Sequence, residues 1–413
     1  MTFDPAAATA AYMAQLSTAQ HAQATAYTQG GHWILLWNWV VGTLVAWVIL
    51  RTELLTRLRD RLQKRSPRPV LVSFVLALVF SLLDWLGTLP WTLYATWWRQ
   101  KSYGLNNQTW MAWLSESSAQ AAIGTVGTAI FFVLLYALIR RAPRSWWAWA
   151  GGLATAYFAL ILFVTPVFIE PLFNSFTPAP PGPIRDAVVD LARQNGVPYD
   201  KIYIYNGSKQ SSRYTANVSG MFGSARIAMS DVMFSSGVDI AEVRGVVGHE
   251  MGHYVHRHAL WLTLAFGLSA LIGLGLTARL FSTASRWLDA RDTLGISDPA
   301  ALPVLTVITA GLMLLATPLI NAVTRAVESD ADNYSLTHAE EPDGLSRSLV
   351  KTINYRASSP SPLEEFVFYD HPSVERRVRR AMDWKAEHPA ETADSAVRDA
   401  KLQTRPSAGA LRP

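Results

Sequence analysis

Crossing the hydrocarbon core of a bilayer as a helix takes about 20 consecutive, mostly apolar residues. Six stretches of this 413-residue chain meet that demand: 32–50, 70–98, 119–139, 146–169, 260–281 and 302–323. Each is too long and too evenly apolar to be an amphipathic helix resting on a soluble core. Composition agrees. Half of the residues are hydrophobic, 16% are charged, and many of the 16 tryptophans flank the apolar runs, where such rings anchor at the membrane–water interface. The expected fold class is therefore mainly α: a polytopic membrane protein of about six transmembrane helices, with the lipid bilayer as its first partner. Gly87 and Pro90 interrupt the second stretch and predict a kink or tilt. Asp84 lies in the same stretch, and a carboxylate at that depth faces protein or a water-filled cavity.

The formal net charge of +5 gathers in short connectors such as 51–68 and in the cluster 376–380. A nucleic-acid binder carries instead a basic stripe interleaved with aromatics on a soluble fold, so no nucleic acid is expected as a partner. The chain has no cysteine, which excludes disulfides and thiolate metal ligands. Residues 1–31 hold no Lys or Arg and so lack the basic start of a secretory signal. They read as a loosely ordered or surface-lying lead-in to four membrane helices over 32–169. Soluble character follows over 170–258. Pro178, Pro180, Pro181 and Pro183 mark a linker. Residues 184–195 show helical periodicity, with Ala187, Val188, Leu191 and Ala192 on one face and Gly196 as the stop. Ile202, Ile204 and 218–229 read as short strands, and 240–257 as a helix with Asp239 as N-cap and Glu242 completing a capping box. Two membrane helices over 259–323 separate this part from a second soluble part, 324–386. The tail, 387–413, is rich in Ala, Pro and charge and reads as disordered.

The chemistry is carried by His249-Glu250-Met251-Gly252-His253, an H-E-x-x-H sequence. Residues four apart share a helical face, so both imidazoles can address one zinc ion while Glu250 reaches the water bound to it. Gly245 and Gly248, among Val243, Val246 and Val247, suit a closely packed, buried helix. Catalytic zinc takes three protein ligands and keeps one position open. His256 lies about 10 Å along the helix from His249, too far for one ion. The extended pattern that adds a third histidine fails, because its positions hold His256 and Ala259. The better third ligand is Glu328, in the run 325–332, just past the sixth apolar stretch. Asp332, four residues on, is placed to hydrogen-bond a ligating histidine.

Further segments resemble, in register, the zinc-dependent CAAX prenyl endopeptidases, which share motifs with bacterial membrane quality-control metallopeptidases. They are Leu-Pro-Trp-Thr-Leu-Tyr at 89–94, Tyr-Gly-Leu-Asn-Asn-Gln-Thr at 103–109, Pro-Leu-Phe-Asn-Ser-Phe-Thr-Pro at 171–178, and Gly-Ser-Lys-Gln-Ser-Ser at 207–212. Arg-Ile-Ala-Met-Ser-Asp at 226–231, the helix 248–258, the run 325–332, and His371-Pro372 with Arg377 complete the series, which covers about 33–383. The resemblance implies membrane helices enclosing a chamber, and a small α+β zincin-like domain split across the chain. It implies Glu250 as general base and acid, and His249, His253 and Glu328 as ligands of one Zn2+. His371 would stabilise the oxyanion or hold substrate; Arg325 and Arg377 would support the Glu328 carboxylate or the substrate's carboxyl terminus. Thr215, Ala216 and Asn217 stand on the edge strand that pairs with substrate. There Thr215 replaces the family's Asn, so one amide donor–acceptor pair is lost.

The resulting expectation is a membrane zinc metalloendopeptidase that cuts near the C-terminus of a peptide or protein substrate, prenylated CAAX-type or otherwise membrane-associated. A quality-control protease without prenyl preference is the near alternative. A transporter or scaffold with a structural zinc is the distant one, disfavoured because structural zinc takes four protein ligands. The resemblance puts the catalytic domain on the cytoplasmic side. Six spans also place both termini with that domain, although the basic connector 51–68 favours the reverse orientation.

Overall fold

The computed structural model describes residues 3–65, 68–220, 225–235 and 238–403. Six of its helices are long and apolar enough to cross a membrane: Thr18–Arg51, Pro69–Ser102, Trp110–Arg141, Trp146–Phe173, His258–Trp287 and Pro299–Ala339. Large apolar side chains stand exposed along them; Leu315 and Leu319 are 77% and 70% exposed. Such surfaces are stable only against lipid tails or inside an enclosed apolar space. Pro90 lies inside the second helix, and a π-helical turn, Leu93–Trp98, follows it. Away from the sheet the spans share a core that includes Leu76, Phe80, Tyr136, Ile139 and Leu302. Beside that core, Arg59 of the helix Leu54–Arg65 forms a buried ion pair with Asp298. Asp298 also accepts from Leu294 N and Ala300 N, starting the turn that leads into the last span.

The soluble part is a four-stranded sheet flanked by helices. Strands β1 (Phe176–Pro178), β2 (Ile202–Tyr205), β3 (Ala216–Ser219) and β4 (Arg226–Ser230) run in the order β1-β2-β4-β3. β2 and β4 are parallel, and β3 pairs antiparallel with β4, Ala216 opposite Met229 and Val218 opposite Ile227. Among the described residues β3 is therefore an edge with one side unpaired. Its Ala216 joins Val188, Leu191, Ile227 and Met229 in a core with Val243, Val247 and Met251. Those last three come from the helix Ile240–Val255, hereafter the histidine helix.

Three outcomes differ from the sequence reading. The lead-in is helical over Pro5–Met13, where Asp4 caps the first turn. Ser17 and Gln20 form a capping box for the first span, which begins fourteen residues earlier than its apolar run. The tail forms a helix, Pro389–Gln403, with Leu402 buried against Ala187 and Ile240. Both segments are Ala-rich, and alanine helices bury small surfaces that a hydrophobicity pattern does not reveal. Lastly, Glu242 closes no capping box; its carboxylate bonds Lys351 instead. Residues 404–413 of the expected tail lie outside the described residues.

Removing one partner of a buried ion pair leaves the other charged and unsolvated, at a cost of about 3–5 kcal/mol. Asp298→Ala should therefore lower the thermal unfolding temperature of the detergent-solubilised protein more than Asp289→Ala does. Asp289 pairs with Arg51 at the surface. Equal effects in a melting experiment would show that the Arg59 pair contributes nothing beyond an exposed one.

Candidate metal centre

Close approach of two helices builds the site. The last span continues without a break as one helix, Leu302–Ala339, from its membrane-spanning part into the soluble part. Its final turns, here called the acidic helix, lie against the histidine helix. A Cβ at Gly252 would stand 2.9 Å from Tyr334 Cβ and 3.1 Å from Ala331 Cα; one at Gly248 would stand 2.9 Å from Ala339 Cβ. The Ser335 hydroxyl donates to the Gly245 carbonyl at 2.7 Å. Only glycine lets the backbones meet this closely, and the meeting sets Glu328 and Asp332 opposite His249 and His253.

Three ligand-type atoms converge there. His249 Nε2 lies 3.1 Å from His253 Nε2 and 3.2 Å from Glu328 Oε2, and His253 Nε2 lies 3.5 Å from Glu328 Oε1. Tetrahedral bonds of about 2.0–2.1 Å separate ligand atoms by about 3.3 Å, so one cation fits among them. Glu328 Oε2 is buried without a well-directed hydrogen-bond donor, as expected of an oxygen aimed at an ion. Asp332 settles the imidazole tautomer. Its Oδ1 lies 3.0 Å from His249 Nδ1, and a carboxylate can only accept, so Nδ1 carries the proton and Nε2 presents its lone pair. Arg377 grips Asp332 with two bonds, Nε to Oδ2 at 2.8 Å and a terminal nitrogen to Oδ1 at 2.6 Å.

The electrostatics favour a cation. Burial opposes protonation of His249, yet the carboxylates of Asp332 and Glu328 beside its two ring nitrogens hold its pKa up to about 9. Burial, together with the charge on His249, brings His253 down to about 4. Glu250 follows His249 on the same helix and is half-buried; desolvation by the surrounding protein raises its carboxyl to about 7. That value suits a group that takes up and returns a proton near neutrality.

The other expected residues distribute unevenly. His371 comes to the site, its Nε2 3.1 Å from Glu328 Oε2 and its Nδ1 2.8 Å from Asp370 Oδ1. It also lines a cavity of about 280 Å³ with Tyr27, His32, Arg99, Tyr355 and Tyr369. Arg377 reaches Asp332 rather than Glu328. Arg325 turns away and donates to the carbonyls of Glu365 (2.9 Å), Phe366 and Tyr369, pinning the segment that leads to His371. Thr215 precedes β3, its carbonyl accepting from Ser230 N at 2.8 Å. Ala216 faces the core, and the Asn217 side chain accepts from Ser219 at 3.3 Å. Two motif segments meet, Asn107 donating to the Ser208 carbonyl at 2.8 Å.

Sequence reasoning missed the far side of His253. Its Nδ1 lies 2.9 Å from His258 Nδ1, and His258 Nε2 lies 3.0 Å from Asp330 Oδ2. This contact depends on Arg257, whose left-handed backbone (φ 55°) separates the histidine helix from the next span. Arginine there gives no warning of a break, since glycine or asparagine is the usual signal.

Outer-sphere partners of ligating histidines are worth about 10–100-fold in metal affinity. Arg377→Ala should weaken metal retention against a chelator by about that factor, and Arg377→Lys, which keeps the charge but not the fork, should fall between. Unchanged retention in both variants would show that Arg377's hold on Asp332 plays no part in orienting His249.

Comparison with known proteins places the chain among metallopeptidases. The sequence pattern of Peptidase family M48 matches residues 178–385. The pattern described as CAAX prenyl protease N-terminal, five membrane helices, matches residues 5–175. Within that range four helices of this chain are long and apolar enough to cross a membrane. An uncharacterized metalloprotease of Bacillus subtilis is 27% identical, the match covering 83% of this chain and 81% of the relative. CAAX prenyl protease 1 of Saccharomyces cerevisiae is 26% identical over 75% of this chain and 71% of its own. The crystal structure of Ste24p from S. mikatae shares the fold, with a TM-score of 0.71 and 22% identity over 89% of this chain and 90% of that one. With its two halves matched in order, six membrane-length helices and one small sheet, the chain belongs to peptidase family M48 and is a multi-pass membrane metallopeptidase.

Proposed function

We propose that this peptidase is a zinc enzyme whose ion is held by His249, His253 and Glu328, and that it cleaves near the C-terminus of membrane-associated peptides, prenylated CAAX-type chains among them. The observation that carries the reading is the convergence of those three ligand atoms within 4.8 Å of one another beside Glu250. Three protein ligands leave a tetrahedral ion one open position, which is the arrangement of catalysis rather than of a structural site. Zinc, when bound, supplies Lewis acidity toward the scissile carbonyl and toward water.

The chain's own residues do the rest. The unpaired side of β3 takes the substrate as an added strand, with Thr215, Ala216 and Asn217 along its backbone. Glu250 accepts a proton from the attacking water and returns it to the leaving amine. His371 meets a carboxylate at each ring nitrogen, Asp370 at Nδ1 (2.8 Å) and Glu328 at Nε2 (3.1 Å), and as an imidazolium it donates from Nε2 to the oxygen on which negative charge develops. Asp332, gripped by Arg377, keeps His249 in the tautomer a ligand needs. The catalytic part faces the cytoplasm: six membrane-length helices put both termini on its side, and the Arg-rich run 376–380 is what the positive-inside rule favours there. A bacterial metalloprotease stands among the relatives, and Thr215 stands on the proposed docking edge where the family resemblance implies an asparagine. These favour a second reading in which hydrophobic membrane proteins, not prenylated chains, are the substrates.

Glu250→Gln should retain one zinc per chain and lose cleavage of both a farnesylated CAAX peptide and its unprenylated counterpart. The wild-type ratio between the two peptides reports whether a prenyl group is read. Wild-type protein that binds no zinc would overturn the assignment. For His371→Ala the expectation is a kcat lowered about 10²–10³-fold, with zinc content and KM little changed. A change confined to KM would make His371 a substrate holder instead.

A further inference from the structure

Behind the first cluster stands another. His256, His258 and Asp330 each offer an atom that lies within 4.8 Å of the other two. His258 Nε2 is 3.0 Å from Asp330 Oδ2, and His256 Nδ1 makes a shorter contact with the same oxygen. Residues two apart on a continuous helix point to opposite sides. Here the left-handed Arg257 breaks the helix between them and turns both imidazoles toward one carboxylate of the acidic helix. His258 is buried, with 6% of its side chain exposed, whereas His256 and Asp330 are 41% and 48% exposed. The arrangement has one buried imidazole and an open outer side.

We propose that His256, His258 and Asp330 form a second divalent-cation site, filled by zinc or cobalt at higher concentration than the first and acting against it through the contact between His258 and His253. The existence of this site does not depend on the proposed function; its effect on the first ion does, because that effect requires His253 as a ligand.

The coupling follows from counting donors. A ligand at the first ion, His253 gives its Nε2 lone pair to metal and so carries its proton on Nδ1, facing His258 Nδ1 at 2.9 Å. His258 must then accept on Nδ1 and donate from Nε2 to Asp330. A cation at the second site needs the His258 Nε2 lone pair, which moves the His258 proton to Nδ1. Two N–H groups then face each other across 2.9 Å, and one ring must turn. Filling the second site therefore disturbs His253, and by reciprocity the first ion weakens the second.

Cobalt and zinc titrations of the full-length protein in detergent test the site. Wild type should bind two cations, the second at least about tenfold more weakly, and His256→Ala or Asp330→Asn should each bind one. His249→Ala should keep the weak site while losing the tight one, which separates failure of this proposal from failure of the first. For the coupling, protein loaded with one equivalent of isotopically labelled zinc is chased with unlabelled zinc. The exchange rate should rise about tenfold as the second site fills in wild type and stay flat in His256→Ala. Saturation of wild type at one cation, or two cations on both His256→Ala and Asp330→Asn, overturns the site. Two cations with a flat exchange rate overturn the coupling.

Discussion

Everything at this centre depends on two helices meeting without side chains between them. Gly248 and Gly252 remove the atoms that would hold the histidine helix away from Tyr334, Ala331 and Ala339. Once the backbones are that close, geometry leaves little freedom. Glu328 and Asp332, four apart on one helix, face His249 and His253, four apart on the other. The pairing is then locked from outside by Arg377, which arrives from the helix Val374–Glu387 to hold Asp332 by both oxygens. A tenth of an ångström matters more in such a place than in an ordinary core, because the ligand bonds are short and the lone pairs directional.

Much of this was legible in the chain itself. Spans are readable because lipid forces a length and a composition on them, and no soluble neighbour can relax that demand. The histidine pair is readable because its chemistry is local to one turn and a half of helix. Glu328 could be reached because the same helical spacing links it to Asp332. What was hidden shares one trait: it rests on contacts between distant segments through groups with no sequence signature. Arg325 spends its guanidinium on three backbone carbonyls, and carbonyls are present at every position. Asp330 reads as an exposed acid until the turn at Arg257 brings two imidazoles to it.

The continuity of the helix Leu302–Ala339 ties the membrane to the chemistry. Hydrophobic thickness fixes how far this helix rises, and its last turns carry Glu328 and Asp332 at a set height above the lipid. Asn321, near the boundary, donates to the Val367 carbonyl at 2.9 Å and so fastens the segment that leads to His371 to the same rod. The edge strand β3 is not on that rod. It shares its core with Val247 and Met251 of the histidine helix and with Tyr334 and Ala339 of the rod itself. The edge strand and the lipid-anchored rod are thus held against each other across the histidine helix.

The amino-terminal helix has a consequence for how the enzyme comes into being. Tyr12 hydrogen-bonds Asp343 at 2.8 Å, across 331 residues of chain, and Ala8, Met13 and Leu16 pack on the core of Leu345, Val378 and Met382. A ribosome delivers the first of these segments long before the last. Until the carboxyl-terminal part emerges, the amino-terminal helix has no surface to fold on, His249 has no Asp332, and Asp332 has no Arg377. The nascent chain therefore threads its membrane helices while still inert, and hydrolytic competence appears only once the segment that carries Arg377 has emerged.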